Sequence, residues 1–200
     1  MASRDAVLRH YDGVASGYEA RNRVIESRLL AAHRAWLGGE ASGRTLELGV
    51  GTGLNVAHYR DAQVVGIDLS AAMLAQARPK TPVLLALADA GDLPFPRAVF
   101  DTVTATLVLS AVPDPHQVIR EAHRVLRPRG RLLAIEKTRS SALAVRLLQQ
   151  ALEPIWRRMQ GGDRLGGDLV AALDEAAFDA RIDGWFAAGF MARIDARRLD

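Results

Sequence analysis

Residues 45–59 read TLELGVGTGLNVAHY: Thr45–Leu48 has strand character, runs into Gly49, Gly51 and Gly53, and the chain then turns polar. A strand that ends in glycines ahead of a helix is how many folds hold a nucleotide, because glycine adopts positive φ and lets backbone approach a ligand closely. Dinucleotide sites space their glycines as G-x-G-x-x-G. Here the spacing is G-x-G-x-G, and Leu54 stands where the last glycine would fall. Glu47, two residues before the first glycine, sharpens the contrast. Its carboxylate would repel a pyrophosphate in a dry cleft and would favour a ligand carrying an amino group and a sulfonium.

Outward from this stretch, strand and helix patterns alternate. Leu54–Tyr59 reads as a short helix, Val64–Ile67 as a strand, and Ser70 as the cap of a helix through Ala77. Val83–Leu87 and Val99–Leu109 are further strands. Asp114-Pro115 opens a helix that runs to Leu126 before Pro128, and Arg131–Ile135 is the next strand. Upstream, Val24, Ile25, Leu29, Leu30, Trp36 and Leu37 keep helical spacing over Arg21–Leu37. Apolar strands alternating with helices predict an α/β, Rossmann-like fold with a mostly parallel sheet covered on both faces. The end of the chain differs. Ala142–Met159 and Asp168–Phe178 read as helices, and Arg181–Phe186 and Phe190–Ala196 as strands joined at Ala188-Gly189. That hairpin should add antiparallel strands at one edge, making seven strands.

Two hundred residues, 49% hydrophobic and 24% charged, suit one domain with a real core, residues 1–40 forming a helical cap and 140–167 a substrate lid. The net charge of +3 is modest, and Lys80 and Lys137 are the only lysines. With no basic stripe interleaved with aromatics, nucleic acid is not an expected partner. The absence of cysteine excludes disulfides and a cysteine nucleophile. The histidines lack metal-ligand spacing, so no metal is required. Met1–Arg9 lacks the apolar core of a signal peptide, and no apolar run reaches the roughly 18 residues that spanning needs. A cytoplasmic protein without a transmembrane segment is expected, with peripheral lipid contact compatible. The oligomeric state is not legible.

Asp68 ends the second strand about 20 residues after the loop, where an acid can accept both ribose hydroxyls. Asp89, in LADAGDLPFP, is placed to accept a hydrogen bond from an adenine amine. Together these residues resemble the class I S-adenosylmethionine-dependent methyltransferases. LELGVGTGLN is similar to their first motif, VVGIDLS to the second and ADAGDLPF to the adenine segment. FDTVTATLVLSAVPDP and VLRPRGRLLAIE are similar to the fourth and fifth strands, and HYDGVASGYEA to an N-terminal segment whose tyrosines close over the cofactor. The resemblance runs from Tyr11 to Ile194. It implies that S-adenosylmethionine is held by Tyr11, Tyr18, Glu47, Gly49, Gly51, Thr52, Gly53, Asn55, Asp68, Leu69, Ser70, Met73, Ala88, Asp89, Ala90 and Leu107. It departs at Arg129 and Ala177, where relatives commonly have glycine.

GTGLN, TLVLSAVPDP and ALEPIWRRMQGGDRL further resemble a branch with bacterial phospholipid N-methyltransferases and mammalian thiol methyltransferases, neighbouring the quinone-biosynthesis C-methyltransferases. Where that branch often carries a cysteine after the tryptophan segment, this chain has Gly161-Gly162-Asp163. The implied reaction is in-line methyl transfer to a small apolar acceptor: a thiol, amine, phenol or lipid-like molecule. Orientation is the protein's main task, and a base is needed only for a protonated nucleophile. His116, in the first turn of a helix beyond the fourth strand, and Glu136, ending the fifth, are the candidates; Glu136 can instead pair with Lys137 or Arg139. Trp156 would roof an apolar substrate from the Ala142–Met159 helix, with Arg157 near an acidic head group. Two alternatives stay open: a binding protein for the same cofactor without catalysis, and an NAD-linked oxidoreductase, which the glycine spacing and Glu47 disfavour.

Overall fold

The computed structural model describes residues 3–159 and 164–200. Seven strands form one sheet: β1 (Ser42–Leu48), β2 (Asp61–Asp68), β3 (Leu84–Leu87), β4 (Phe100–Thr106), β5 (Leu126–Lys137), β6 (Phe178–Phe186) and β7 (Met191–Arg198), in the order β3-β2-β1-β4-β5-β7-β6. The first five strands pair in parallel, and β7 is antiparallel to both β5 and β6. The mostly parallel sheet with an antiparallel C-terminal hairpin is the fold the sequence predicts. Strand order reverses between β1 and β4, so a crevice opens beyond their carboxyl ends, and the glycine turn after β1 enters it.

Both faces of the sheet are covered, so its central strands are buried on both sides: β5 is apolar without alternation over Leu132–Ile135, whereas β1 and β4 alternate Leu46, Leu48, Val103 and Ala105 with the buried Thr45, Glu47, Thr102 and Thr104. On β5, Leu132 and Ala134 join one core with Leu46, Leu48, Ile67 and Val103, while Leu133 and Ile135 join the opposite core with Leu30, Leu37 and Met191. The helix α5 (Pro115–Val125) packs Val118, Ile119, Ala122 and Val125 on the first face, one apolar stripe of helical period. Its boundary is chemical: the Asp114 side chain accepts from Gln117 N, and Pro115 occupies the first helical position. The second face is covered by α3 (Ala31–Glu40).

Several local expectations are corrected. A helix precedes the expected one, α1 (Arg4–Val14), capped by Ser3. The helix read over Arg21–Leu37 is α2 (Tyr18–Ile25), a π turn (Glu26–Leu30) and α3. Leu54–Tyr59 yields only a 3-10 turn at Val56–His58. β4 stops at Thr106 because Leu107 turns to φ 59°, which no strand tolerates. β5 begins five residues early, at Leu126. The remaining helices are α4 (Ala71–Ala77), α6 (Leu143–Met159) and α7 (Leu169–Glu175); α7 ends early because Ala177 is left-handed and Phe178 enters β6.

Arg129 and Ala177 have φ of 63° and 60°. A side chain there costs about 1–2 kcal/mol, partly offset by the greater freedom glycine has when unfolded. Arg129→Gly and Ala177→Gly are each expected to raise Tm by roughly 2 °C in thermal unfolding, the scale for a domain of this size.

Candidate functional site

The three glycines after β1 all have positive φ, at 58°, 57° and 87°, but they are needed for different reasons. A Cβ on Gly49 would sit 2.5 Å from Val108 Cγ2, and one on Gly53 would sit 2.7 Å from Thr81 Cγ2. These two let neighbouring chain pack. A Cβ on Gly51 would meet nothing closer than 3.9 Å and would project into open space. Gly51 N donates to Asp68 Oδ2 at 2.8 Å, and Ser70 N donates to Asp68 Oδ1 at 2.8 Å. The acid at the end of β2 thus holds the glycine turn and the start of α4 together. Burial raises its pKa against the pull of those two amides, and each oxygen keeps acceptor capacity for a ligand hydroxyl.

Glu47 lies at the floor of the crevice, 1% exposed. Its Oε1 accepts from Asn55 Nδ2 at 2.8 Å, and its Oε2 is buried with no hydrogen-bond partner. Burial lifts its pKa to about 7, although Asn55, Tyr59 and Arg34 act in the opposite direction. Asn55 is itself fixed by Arg34, whose Nη1 donates to Asn55 Oδ1 at 2.7 Å. Arg34 is gripped in turn by both carboxylate oxygens of Glu26 at 2.8 Å. A buried carboxyl with one oxygen lacking a hydrogen-bond partner, in a residue that lines the cavity, is chemistry suited to a cationic group.

The crevice is a cavity of about 370 Å³. It collects Tyr11 and Tyr18 from the N-terminal helices, Glu47, Gly49, Gly51, Thr52 and Asn55 from the first turn, and Asp68, Leu69 and Met73 from the second. Ala88, Asp89 and Ala90 follow β3, and Leu107 follows β4. Two of the expected cofactor residues are not in its wall. Gly53 faces Thr81, and Ser70 is spent on capping α4 at Met73 N and on donating to Asp12 Oδ1 at 2.5 Å. Asp89 lines the cavity, but its Oδ2 pairs with Arg4 at 2.7 Å and its Oδ1 accepts from Gly91 N at 2.8 Å. Each of these oxygens, like those of Asp68, keeps acceptor capacity for a ligand amine.

The catalytic and substrate candidates lie elsewhere. His116 is half exposed, 3.7 Å from the Glu175 carboxylate, and lines a separate cavity of about 80 Å³. Glu136 is fully buried and accepts from Val108 N at 2.6 Å, Leu109 N at 2.8 Å and Ser110 N at 3.3 Å, which shapes the loop after β4. Neither lines the larger cavity. Trp156 and Arg157 do not line it either; Lys137 Nζ stands 5.2 Å from the Trp156 ring centre. Residues 160–163 of the expected lid, including Gly161-Gly162-Asp163, lie outside the described residues.

Sequence reasoning missed Arg4, Val7 and Arg34, and the apolar wall formed by Val108, Ala111, Val112 and Pro113. The wall was findable, since its residues follow directly on the motif at the end of β4. Arg34 was not: it precedes Asn55 by 21 residues and reaches it only through the packing of α3.

A crevice at the switch point of a doubly wound sheet, with a glycine turn and an acid closing the next strand, defines a nucleoside-binding protein of the Rossmann-like class. Residues 46–134 match a family model described as a methyltransferase domain. The chain is 40% identical over 141 residues to a phosphatidylethanolamine N-methyltransferase of Cereibacter sphaeroides, covering 66% of this chain and 68% of that one. It is 31% identical over 189 residues to a ubiquinone/menaquinone biosynthesis C-methyltransferase of Desulfotalea psychrophila, covering 89% and 74%. A crystal structure of a methyltransferase from Thermotoga maritima, described as a possible histamine N-methyltransferase, shares the fold with TM-score 0.76 at 18% identity, covering 96% of this chain and 99% of that one. The chain belongs to the S-adenosylmethionine-dependent methyltransferases.

Asp68→Ala is expected to weaken S-adenosylhomocysteine binding by about 1–3 kcal/mol, the scale for stripping hydrogen bonds from a buried polar group. Titration calorimetry reading an unchanged Kd would remove Asp68 from the ribose site.

Proposed function

We propose that this methyltransferase acts on a small apolar acceptor, held against Leu107 and the Val108–Pro113 wall, and that it transfers the methyl group without a protein base. The supporting observation is the composition of the cavity. Its acidic groups Glu47, Asp68, Asp89 and Asp92 line the glycine turn, the end of β2 and the segment after β3, while the loop after β4 contributes the apolar Leu107, Val108, Ala111, Val112 and Pro113 ahead of Asp114, the cap of α5. S-adenosylmethionine supplies a methyl on a cationic sulfur, already a good electrophile. On this reading Asp68 grips the ribose, Ala88, Asp89 and Ala90 border the base, Glu47 balances positive charge, and Tyr11 and Tyr18 cover the ligand.

Alignment in a water-poor pocket can supply several kcal/mol of the barrier, up to about 7–11 in favourable cases. Glu136 contributes as a positioning residue, through the three amides it holds in the loop after β4. No histidine is among the described residues that line the cavity, and Asp114, the carboxylate that follows the wall, caps α5 through Gln117 N, which favours acceptors that arrive ready to react, such as a thiol, an amine or an activated carbon, over an alcohol. The relatives' names add support for a lipid-like or amine acceptor.

Transfer of label from methyl-labelled cofactor to a panel of apolar thiols, amines and phenols tests the reading. At least one should be methylated, and His116→Ala should leave kcat unchanged. Binding of S-adenosylhomocysteine with no turnover on the whole panel would turn the reading to a protein that binds the cofactor without catalysis.

A further inference from the structure

The helix α6 is mounted with its polar residue inward. Gln149 is its buried anchor, donating to Thr138 O at 2.9 Å and Leu165 O at 3.1 Å and accepting from Ser140 N at 3.0 Å. Glu153, its only acid, also turns in and accepts from Leu165 N at 2.8 Å. Leu143, Leu147, Leu148, Leu152 and Ile155 consequently face solvent, Leu147 at 56% and Ile155 at 61% exposure. At helical spacing they spread over roughly half the circumference. A largely apolar face of this kind, interrupted by Arg158 in the last turn, is rare on a monomer and marks a surface that something covers.

A second ridge shares its neighbourhood. Val24, Ile25 and Leu29 are exposed on α2 and the π turn. One turn further on, His33 stacks on Phe186 at 3.6 Å, beside the β6–β7 turn, where a Cβ on Gly189 would lie 3.8 Å from Val145 of α6. His33, one turn beyond the second ridge, and Val145, on the flank of α6, thus both border the β6–β7 turn.

Charge decides the occupant. Arg146, Arg157 and Arg158 accompany the α6 face, and Arg21, Arg23 and Arg28 are exposed beside the other ridge. Among the described residues, Glu26 pairs with Arg34 and Glu19 with Lys80. A second copy set face to face would bring cation against cation. An anionic lipid surface complements both features, since leucines enter the acyl boundary while arginines meet head-group phosphates. We propose that α6 and the Val24–Leu29 ridge dock this protein on an anionic bilayer surface. The proposal does not depend on which acceptor is methylated.

Co-sedimentation with mixed phosphatidylcholine–phosphatidylglycerol vesicles, against phosphatidylcholine alone, tests it. The wild-type chain should pellet with the anionic vesicles only, and added salt should release it. Leu147→Glu/Leu148→Glu should lose at least tenfold in partition while keeping S-adenosylhomocysteine affinity by calorimetry, which separates lost docking from lost folding or a failed cofactor site. Arg158→Glu should weaken partition in the same direction. Failure to pellet with either vesicle, or equal pelleting with both, would overturn the proposal. So would a dimer seen by light scattering that the double variant dissolves, since the face would then belong to a second copy.

Discussion

Replacing Gly51 with valine is expected to abolish measurable S-adenosylhomocysteine binding, a loss above a hundredfold, while the chain stays folded. The expectation rests on the difference between the three glycines. Side chains at Gly49 and Gly53 would collide with Val108 and Thr81, so substitutions there confuse folding with binding. At Gly51, which lines the cavity, an added Cβ would meet no protein atom closer than 3.9 Å, beside the amide that Asp68 holds. The residual cost to the fold is a β-branched residue at φ 57°, about 1–2 kcal/mol. Circular dichroism should show an intact α/β protein with a slightly lowered Tm. A Gly51→Val chain that binds the cofactor normally would move the binding site away from the glycine turn.

The second large effect concerns Glu47. With its folded pKa near 7 against an ordinary value of 4.5, the folded protein holds a proton that the unfolded chain has released between those pH values. Stability therefore falls as pH rises from about 4.5 and levels off above about 7, a drop of roughly 3 kcal/mol in total. A cationic ligand prefers the ionised form, so cofactor affinity should change in the opposite direction, rising towards pH 7 and flattening above it. Glu47→Gln removes both dependences. The variant should be more stable than wild type at pH 8 and should bind S-adenosylhomocysteine at least tenfold more weakly, with no pH dependence from this site. Denaturant melts and calorimetry at pH 5, 6, 7 and 8 would read both. A wild-type affinity that is flat across this range would show that Glu47 does not sense the ligand's charge.

These two residues also show how far the sequence carries. Glu47 and Gly51 were legible because their meaning depends on spacing within ten residues: an acid, a glycine turn and the strand that ends there. Asp68 was legible for the same reason, as an acid closing the next strand. Leu107 was expected at the site, but its left-handed turn, which cuts β4 short, has no local signal, since leucine rarely adopts that conformation. Arg129 and Ala177 take left-handed turns as well, where relatives commonly have glycine; at Ala177 the helical pattern read through to Phe178 hid the turn.

The sequence by itself determined the order of the seven strands, the glycine turn and the acids around it, because hydrophobic period and turn chemistry act over a few residues. Tertiary structure alone decided which side of each element lines the cavity. It turned Ser70 into a cap and Gly53 towards Thr81, brought Arg34 to Asn55, and buried Glu136 under three amides away from the cavity. It also set the leucines of α6 outward, against the reading of that helix as a roof over the substrate. Those outcomes depend on contacts between residues far apart in the chain, where competing partners for one side chain are settled only when the whole sheet has packed.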